Sequence, residues 1–180
     1  MNLANGVTAA RLLLVPVFAV LLFTEDGAHR GWRAAAAAVF VIASLTDRVD
    51  GELARRRGLV TDFGAIADPI ADKALIGTAL VGLSLLGELP WPVTGVILAR
   101  EVGVTLLRFW VIRRGVIPAS PGGKLKTLLQ SVAIALYILP LSGPLATGRA
   151  WLMGLAVAVT VVTGLDYVAR AVRLRRAASP

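Results

Sequence analysis

The sequence predicts an all-α integral membrane protein with six transmembrane helices and a short amphipathic helix at its N-terminus. Two observations carry this expectation. Hydrophobic residues make up 57% of the 180 and charged residues only 17%, more apolar sequence than a soluble domain of this size can hide in one core. The apolar residues also fall into six runs near the roughly 20 residues a helix needs to cross a bilayer. Between the runs, Lys and Arg gather on one side of the expected membrane.

The lead-in, Asn2 to Ala10, passes into a first span near Arg11 to Phe23, where Pro16 is tolerable as a kink. This run lacks the basic leading segment and small-residue cleavage site of a secretion signal, so it is expected to be retained. A loop holding Glu25, Asp26, His29 and Arg30 leads to a second span, about Arg33 to Asp50, whose Ala34–Ala38 run suits close helix packing. The basic connector Arg55-Arg56-Arg57-Gly58 precedes a third span, about Pro69 to Leu86. A tight turn, Gly87 to Pro92, marks the far interface with Trp91 in the usual aromatic position. The fourth span, Val93 to Ile112, ends at Arg113-Arg114. A Pro/Gly-rich loop, Pro118 to Gly123, then leads through Lys124 and Lys126 to a fifth span, Thr127 to Leu141. After the turn 142–149 comes a sixth span, Ala150 to about Val168, and a tail carrying Arg170, Arg173, Arg175 and Arg176. With no internal repeat or low-complexity linker, one membrane domain over 1–180 is expected.

Net charge is +8, from 19 Lys and Arg against 11 Asp and Glu. Nucleic-acid binding would need basic patches on a soluble fold, which are not found. Instead Arg48, Arg55–Arg57, Arg113, Arg114, Lys124, Lys126 and the tail share one side, while Arg30, Arg33 and Arg149 lie on the other. The positive-inside rule then puts both termini on the cytoplasmic side. Cysteine is absent, which excludes disulfides, thiol catalysis and zinc-thiolate sites.

The informative stretch runs from Asp47 to Asp72. Asp47 and Asp50 are three apart, Asp68 and Asp72 four apart, so on helices each pair projects from one face. Ionised acids beside apolar spans are costly, and four converging carboxylates repel: like charges at ~4 Å interact by about 4 kcal/mol at an effective dielectric of 20. Protonation, Arg or Lys partners (Arg48, Arg55, Lys73) and hard cations are the available remedies. Two divalent ions would balance four carboxylates, oxygen-only ligation suits Mg2+ or Mn2+, and such a pair clamps a phosphate or pyrophosphate. Gly51 and Gly64 sit beside the acid pairs, where a missing side chain lets backbone or a flat ligand approach.

The pattern Asp-x2-Asp-Gly-x2-Ala-Arg-x8-Gly-x3-Asp-x3-Asp, met at every specified position by Asp47, Asp50, Gly51, Ala54, Arg55, Gly64, Asp68 and Asp72, resembles the signature of the CDP-alcohol phosphotransferase family. Asn5-Gly-Val-Thr8-Ala-Ala-Arg11 with Pro16, Asp68-Pro-Ile-Ala-Asp72-Lys73, Arg100-Glu101 leading to Arg108, and Gly123-Lys124-Leu-Lys126-Thr127 look like its phosphatidylglycerophosphate synthase branch. The resemblance implies six membrane helices around a polar cavity open to the cytoplasm, usually in a homodimer, in a bacterial-type plasma membrane. It implies that Asp47, Asp50, Asp68 and Asp72 hold two ions, Mg2+ or Mn2+, with Asp72 also the general base. Gly51, Ala54, Arg55, Thr61, Gly64, Asn5 and Thr8 would bind CDP-diacylglycerol. The implied reaction is attack by an alcohol on the lipid-side phosphorus, releasing CMP. A carboxylate base within reach of that alcohol is worth about 10²–10⁴-fold in rate.

For the acceptor, Glu101 and Arg108 are two helical turns apart and share a face. Either they brace the bundle as an internal ion pair, or Arg108 joins Arg100, Lys124 and Lys126 in binding an acceptor phosphate. Lys124 and Lys126 also fit as plain topology residues. The branch-like elements favour glycerol 3-phosphate over inositol phosphate as acceptor. Intramembrane prenyltransferases also use paired aspartates and Mg2+, but leave Gly51, Ala54 and Arg55 unexplained. An ion transporter would show repeated halves and broken helices. His29 is expected to be merely solvated, Asp166 to pair with Arg170, and Pro121-Gly-Gly123 offers a weak phosphate-nest pattern.

Overall fold

The computed structural model describes residues 3–56, 62–111 and 121–177. Within them run six long helices: α1 (Leu3–Phe23), α2 (Arg30–Arg56), α3 (Asp62–Leu85), α4 (Trp91–Val111), α5 (Pro121–Ile138) and α6 (Pro144–Ala177). No strand occurs among the described residues. A single 3-10 turn, Thr24–Gly27, joins α1 to α2.

The helices follow the six apolar runs, with four corrections at their ends. The N-terminal lead-in is not a separate helix, because α1 is continuous from Leu3 through Pro16. α3 begins seven residues before the expected Pro69 and takes that proline into its interior. The expected Pro118–Gly123 loop is helical from Pro121 onward. Proline's fixed φ and missing N–H suit the first turn of a helix, where that amide has no intrahelical partner anyway. This places Pro121-Gly-Gly123 in a helix start; Pro118 to Ser120 lie outside the described residues. α6 likewise absorbs the basic tail as far as Ala177.

Two stretches, 8–27 and 144–175, are long and apolar enough to cross a membrane, each with mean hydropathy 1.8. In the other helices the apolar density is interrupted by the residues of interest: Asp47 and Asp50 in α2, Asp68, Asp72 and Lys73 in α3, Arg100, Glu101 and Arg108 in α4, and Lys124 and Lys126 in α5.

The chain divides into two compact units, residues 1–89 with 134–142, and residues 90–133 with 143–180. In the first, α1 packs on α2 and α3, and α2 touches α3. Phe18 and Leu22 of α1, Ala36, Ala37, Phe40 and Ala43 of α2, and Leu75, Ala79, Leu80 and Leu83 of α3 are all buried. The Phe18 and Phe40 rings lie 5.8 Å apart and tilted, within the favourable range for aromatic pairs. Gly82 lets Leu22 come close: a Cβ there would sit 2.7 Å from Leu22 Cδ2. α3 ends in a Schellman turn. Gly87 is left-handed at φ +71, and the amides of Gly87 and Glu88 donate to Ser84 and Leu83 oxygens at 3.1 and 2.9 Å.

Arg33 organises the end of this unit. Only 2% exposed, it donates from Nε to Ile138 O at 2.6 Å and from Nη2 to Tyr137 O at 2.7 Å. Its Nη1 lies 3.3 Å from both Gly27 O and Glu88 Oε1. The carbonyls in the last turn of a helix lack intrahelical donors, and Arg33 serves those of α5. Nearby, His29 is exposed and its Nδ1 accepts the Gly31 amide at 3.2 Å.

In the second unit α4 packs on α6. Met153, Ala156, Thr160 and Gly164 are buried on α6, and their spacings of three and four residues put them on one face. The Thr160 hydroxyl returns to Ala156 O at 2.6 Å, so a polar side chain sits in this core without loss of hydrogen bonding. The expected Asp166–Arg170 pair forms at 2.9 Å, with both side chains about half exposed.

Candidate functional site

The acid motif lies on two consecutive helices. Asp47, Asp50, Gly51, Ala54 and Arg55 are in the C-terminal half of α2, and Gly64, Asp68 and Asp72 in the N-terminal half of α3. Asp50 is six residues before the end of α2 at Arg56, and Asp68 is six residues after the start of α3 at Asp62. At 1.5 Å per residue both stand about 9 Å from those helix ends. Asp47, nine residues back, and Asp72, ten residues on, stand about 13–15 Å from them. Each acid pair therefore lies about two to three turns from the end of its own helix, and the two helices touch.

Side chains 47–56 and 62–68, which include three of the four acids with Gly51, Ala54, Arg55 and Gly64, lie outside the described residues, as do Thr61 and the side chain of Asn5. Asp72 is described and half-buried, just after the buried Ala71. A donor set made only of carboxylate oxygens suits hard divalent ions. Thr8 is buried on α1, and so, one turn later, is Arg11, only 3% exposed. By sequence Arg11 stands at the start of a span and closes the branch-like run Asn5 to Arg11, with no site role of its own. Its signal was available: a guanidinium one turn from a hydroxyl, at the edge of an apolar helix.

A second polar group lies in the other unit. Glu101 Oε1 takes Arg100 Nη1 at 3.2 Å and is also hydrogen-bonded by Lys126 Nζ from α5. Side-chain exposure is 16% for Arg100, 17% for Glu101 and 6% for Lys126. A lysine this buried is costly without a counter-charge, and Glu101 supplies it. Arg100 is held from the α6 side as well, since a Cβ at Gly164 would lie 3.1 Å from Arg100 Cγ. Of the four residues expected to bind an acceptor phosphate, Arg100 and Lys126 are thus brought together. Lys124 and Arg108 are exposed. On a helix Lys124 stands about 200° around from Lys126, on the opposite side of α5. The alternative Glu101–Arg108 brace gives way to a longer-range pair, because Lys126 reaches Glu101 from another helix.

The family model for CDP-alcohol phosphatidyltransferases matches residues 1–162. A protein of Mycobacterium tuberculosis (strain ATCC 25618 / H37Rv) named probable phosphatidylglycerophosphate synthase is 60% identical over 172 residues, covering 96% of this chain and 82% of that protein. A CDP-diacylglycerol–glycerol-3-phosphate 3-phosphatidyltransferase of Bacillus subtilis (strain 168) is 37% identical, covering 94% of each chain. One of Rickettsia typhi with the same name is 36% identical, covering 92% of this chain and 94% of that one.

Proposed function

The chain belongs to the CDP-alcohol phosphatidyltransferase family, and from that premise we propose that it transfers the phosphatidyl group of CDP-diacylglycerol to glycerol 3-phosphate, yielding phosphatidylglycerol phosphate and CMP. The observation that carries this reading is 60% identity, over nearly the whole chain, to a protein named for that synthesis. The complete acid motif, Asp47 to Asp72, carried on two consecutive helices, supports it.

Members of this family generally use divalent metal ions, and in this chain Asp47, Asp50, Asp68 and Asp72 would hold two, Mg2+ or Mn2+. When bound, such ions offset the charge of the diphosphate and make CMP a better leaving group. The protein's own residues do the rest. Gly51, Ala54 and Gly64 leave room for the nucleotide, while Arg55, Thr61, Asn5 and Thr8 hold it, Arg55 through its forked donors. Asp72 accepts the proton of the acceptor hydroxyl as its oxygen bonds to the lipid-side phosphorus. The bond from that phosphorus to the bridging oxygen breaks, and CMP leaves with the electron pair. Arg100 and Lys126 bring two positive charges against the one negative charge of Glu101, leaving an excess for the acceptor phosphate, with Lys124 and Arg108 at the margin.

The same reading makes 1–180 a single membrane domain, its six helices spanning the bilayer around a polar cavity open to the cytoplasm, in a homodimer of the plasma membrane. Apolar side chains exposed on several helices support contact with lipid, among them Leu13 (70%), Phe109 (68%), Trp151 (78%) and Leu165 (65%). The Lys and Arg distribution supports a cytoplasmic site and termini.

The test is to incubate purified protein with CDP-diacylglycerol, Mg2+ and either glycerol 3-phosphate or inositol phosphate, and to measure CMP. Release with glycerol 3-phosphate is expected. Release with inositol phosphate alone would change the acceptor, and no release with either would refute the transferase reading.

A further inference from the structure

Gln130 lies one helical turn beyond Lys126 on α5, and at 3% exposure it is as buried as its neighbour. Residues four apart share a helix face. Lys126 reaches Glu101 of α4, so Gln130 lies on the same face of α5 as the lysine that joins the Arg100–Glu101–Lys126 group. Among the described residues the Gln130 Oε1 atom has no hydrogen-bond partner. A buried amide oxygen left in this state is costly, and a structural glutamine in an apolar helix would normally be satisfied by a neighbouring hydroxyl or amide. Arg100 Nε is likewise buried without a partner, as is the Tyr167 hydroxyl on α6. Tyr167 stands three residues beyond Gly164, against which Arg100 lies. Three buried polar atoms of one unit, one each on α4, α5 and α6, thus have no hydrogen-bond partner among the described residues.

Their chemistry says which part of a polar occupant each would meet. Arg100 Nε is a donor and suits a phosphate oxygen. Gln130 Oε1 is an acceptor, and an ionised phosphate has no proton to give it, so its partner must be a hydroxyl. Lys126 and Gln130 are separated by about 6 Å along the helix axis, comparable to the length of a three-carbon polyol phosphate.

We propose that Gln130 is a specificity-determining residue that accepts a hydrogen bond from the non-reacting hydroxyl of the acceptor while the Arg100–Lys126 pair binds its phosphate. This rests on the transferase reading above and adds how a polyol phosphate is told from a simple alcohol phosphate. The reacting primary hydroxyl is common to both; the secondary hydroxyl is what Gln130 reads.

The test compares glycerol 3-phosphate with 3-hydroxypropyl phosphate, which keeps the phosphate and primary hydroxyl but lacks the secondary one. Wild-type protein is expected to favour glycerol 3-phosphate by about 10- to 100-fold in kcat/KM, the range for leaving one buried polar group unsatisfied. In Gln130→Leu that preference should fall close to parity, with the KM for CDP-diacylglycerol unchanged. Gln130→Met, of similar length and equally unable to accept a hydrogen bond strongly, is the companion variant should leucine fail to pack. A merely structural role would lower turnover of both acceptors alike and leave their ratio intact, and that result would overturn the proposal. So would a wild-type protein that does not distinguish the two acceptors. Absence of CMP release with either acceptor in the wild type would instead overturn the transferase reading, and this proposal with it.

Discussion

Replacing Arg33 by methionine removes the guanidinium but keeps most of the aliphatic stem, so the change isolates the polar contacts. Two of these, to Ile138 O at 2.6 Å and Tyr137 O at 2.7 Å, are charge-assisted bonds with a buried donor, each worth about 1.5–3 kcal/mol. The two at 3.3 Å add less, and Glu88, whose side chain is 31% exposed, regains water when its partner goes. The expected loss is therefore about 3–5 kcal/mol, the range for breaking a buried charged contact. The location explains why so much depends on one side chain: Arg33 ties the start of α2 to the end of α5, to the turn after α1 and to the turn after α3. Chemical unfolding in detergent micelles would measure it, with the exposed Arg30→Met as a control expected to behave like wild type. A loss under about 1 kcal/mol for Arg33→Met would refute the reasoning and return Arg33 to a simple marker of topology.

Asp72→Asn should reduce CMP release by about 10²–10⁴-fold, the contribution of a positioned base, while CDP-diacylglycerol binding stays largely intact; near-wild-type turnover would exclude Asp72 as the base. Lys126→Glu should raise the acceptor KM far more than the CDP-diacylglycerol KM, and an unchanged acceptor KM in steady-state assays would count against the α4–α5 site. Gly82→Val forces a Cβ to within 2.7 Å of Leu22 Cδ2, and Leu22 is fully buried, so about 1–3 kcal/mol of stability should be lost to overpacking. Gly95→Ala is the contrasting case, with nothing within 4 Å of the new Cβ; a thermal scan showing equal losses for both would refute the packing account.

The six helices and the two acid pairs were legible in the sequence because each depends on a local period. Apolar runs of bilayer length mark helices whatever they pack against, and spacings of three and four place Asp47 with Asp50 and Asp68 with Asp72 on single faces wherever the helices go. The helix start at Pro121 was misjudged for a related reason, since proline and glycine interrupt a helix in one position and open it in another. What the sequence alone left undecided were pairings across distance. It offered Arg108, seven residues along the same helix, as the partner of Glu101, and the fold supplied Lys126, 25 residues away. It counted Arg33 as a charge on the outer side, and the fold set it against carbonyls more than 100 residues on. Gln130 carried no signal at all, because burial without a hydrogen-bond partner exists only once α5 has been packed. Local periodicity is written in consecutive residues, whereas the partner of a buried charge is chosen by which helices meet and at what height, and that is fixed only by the packing of the whole unit.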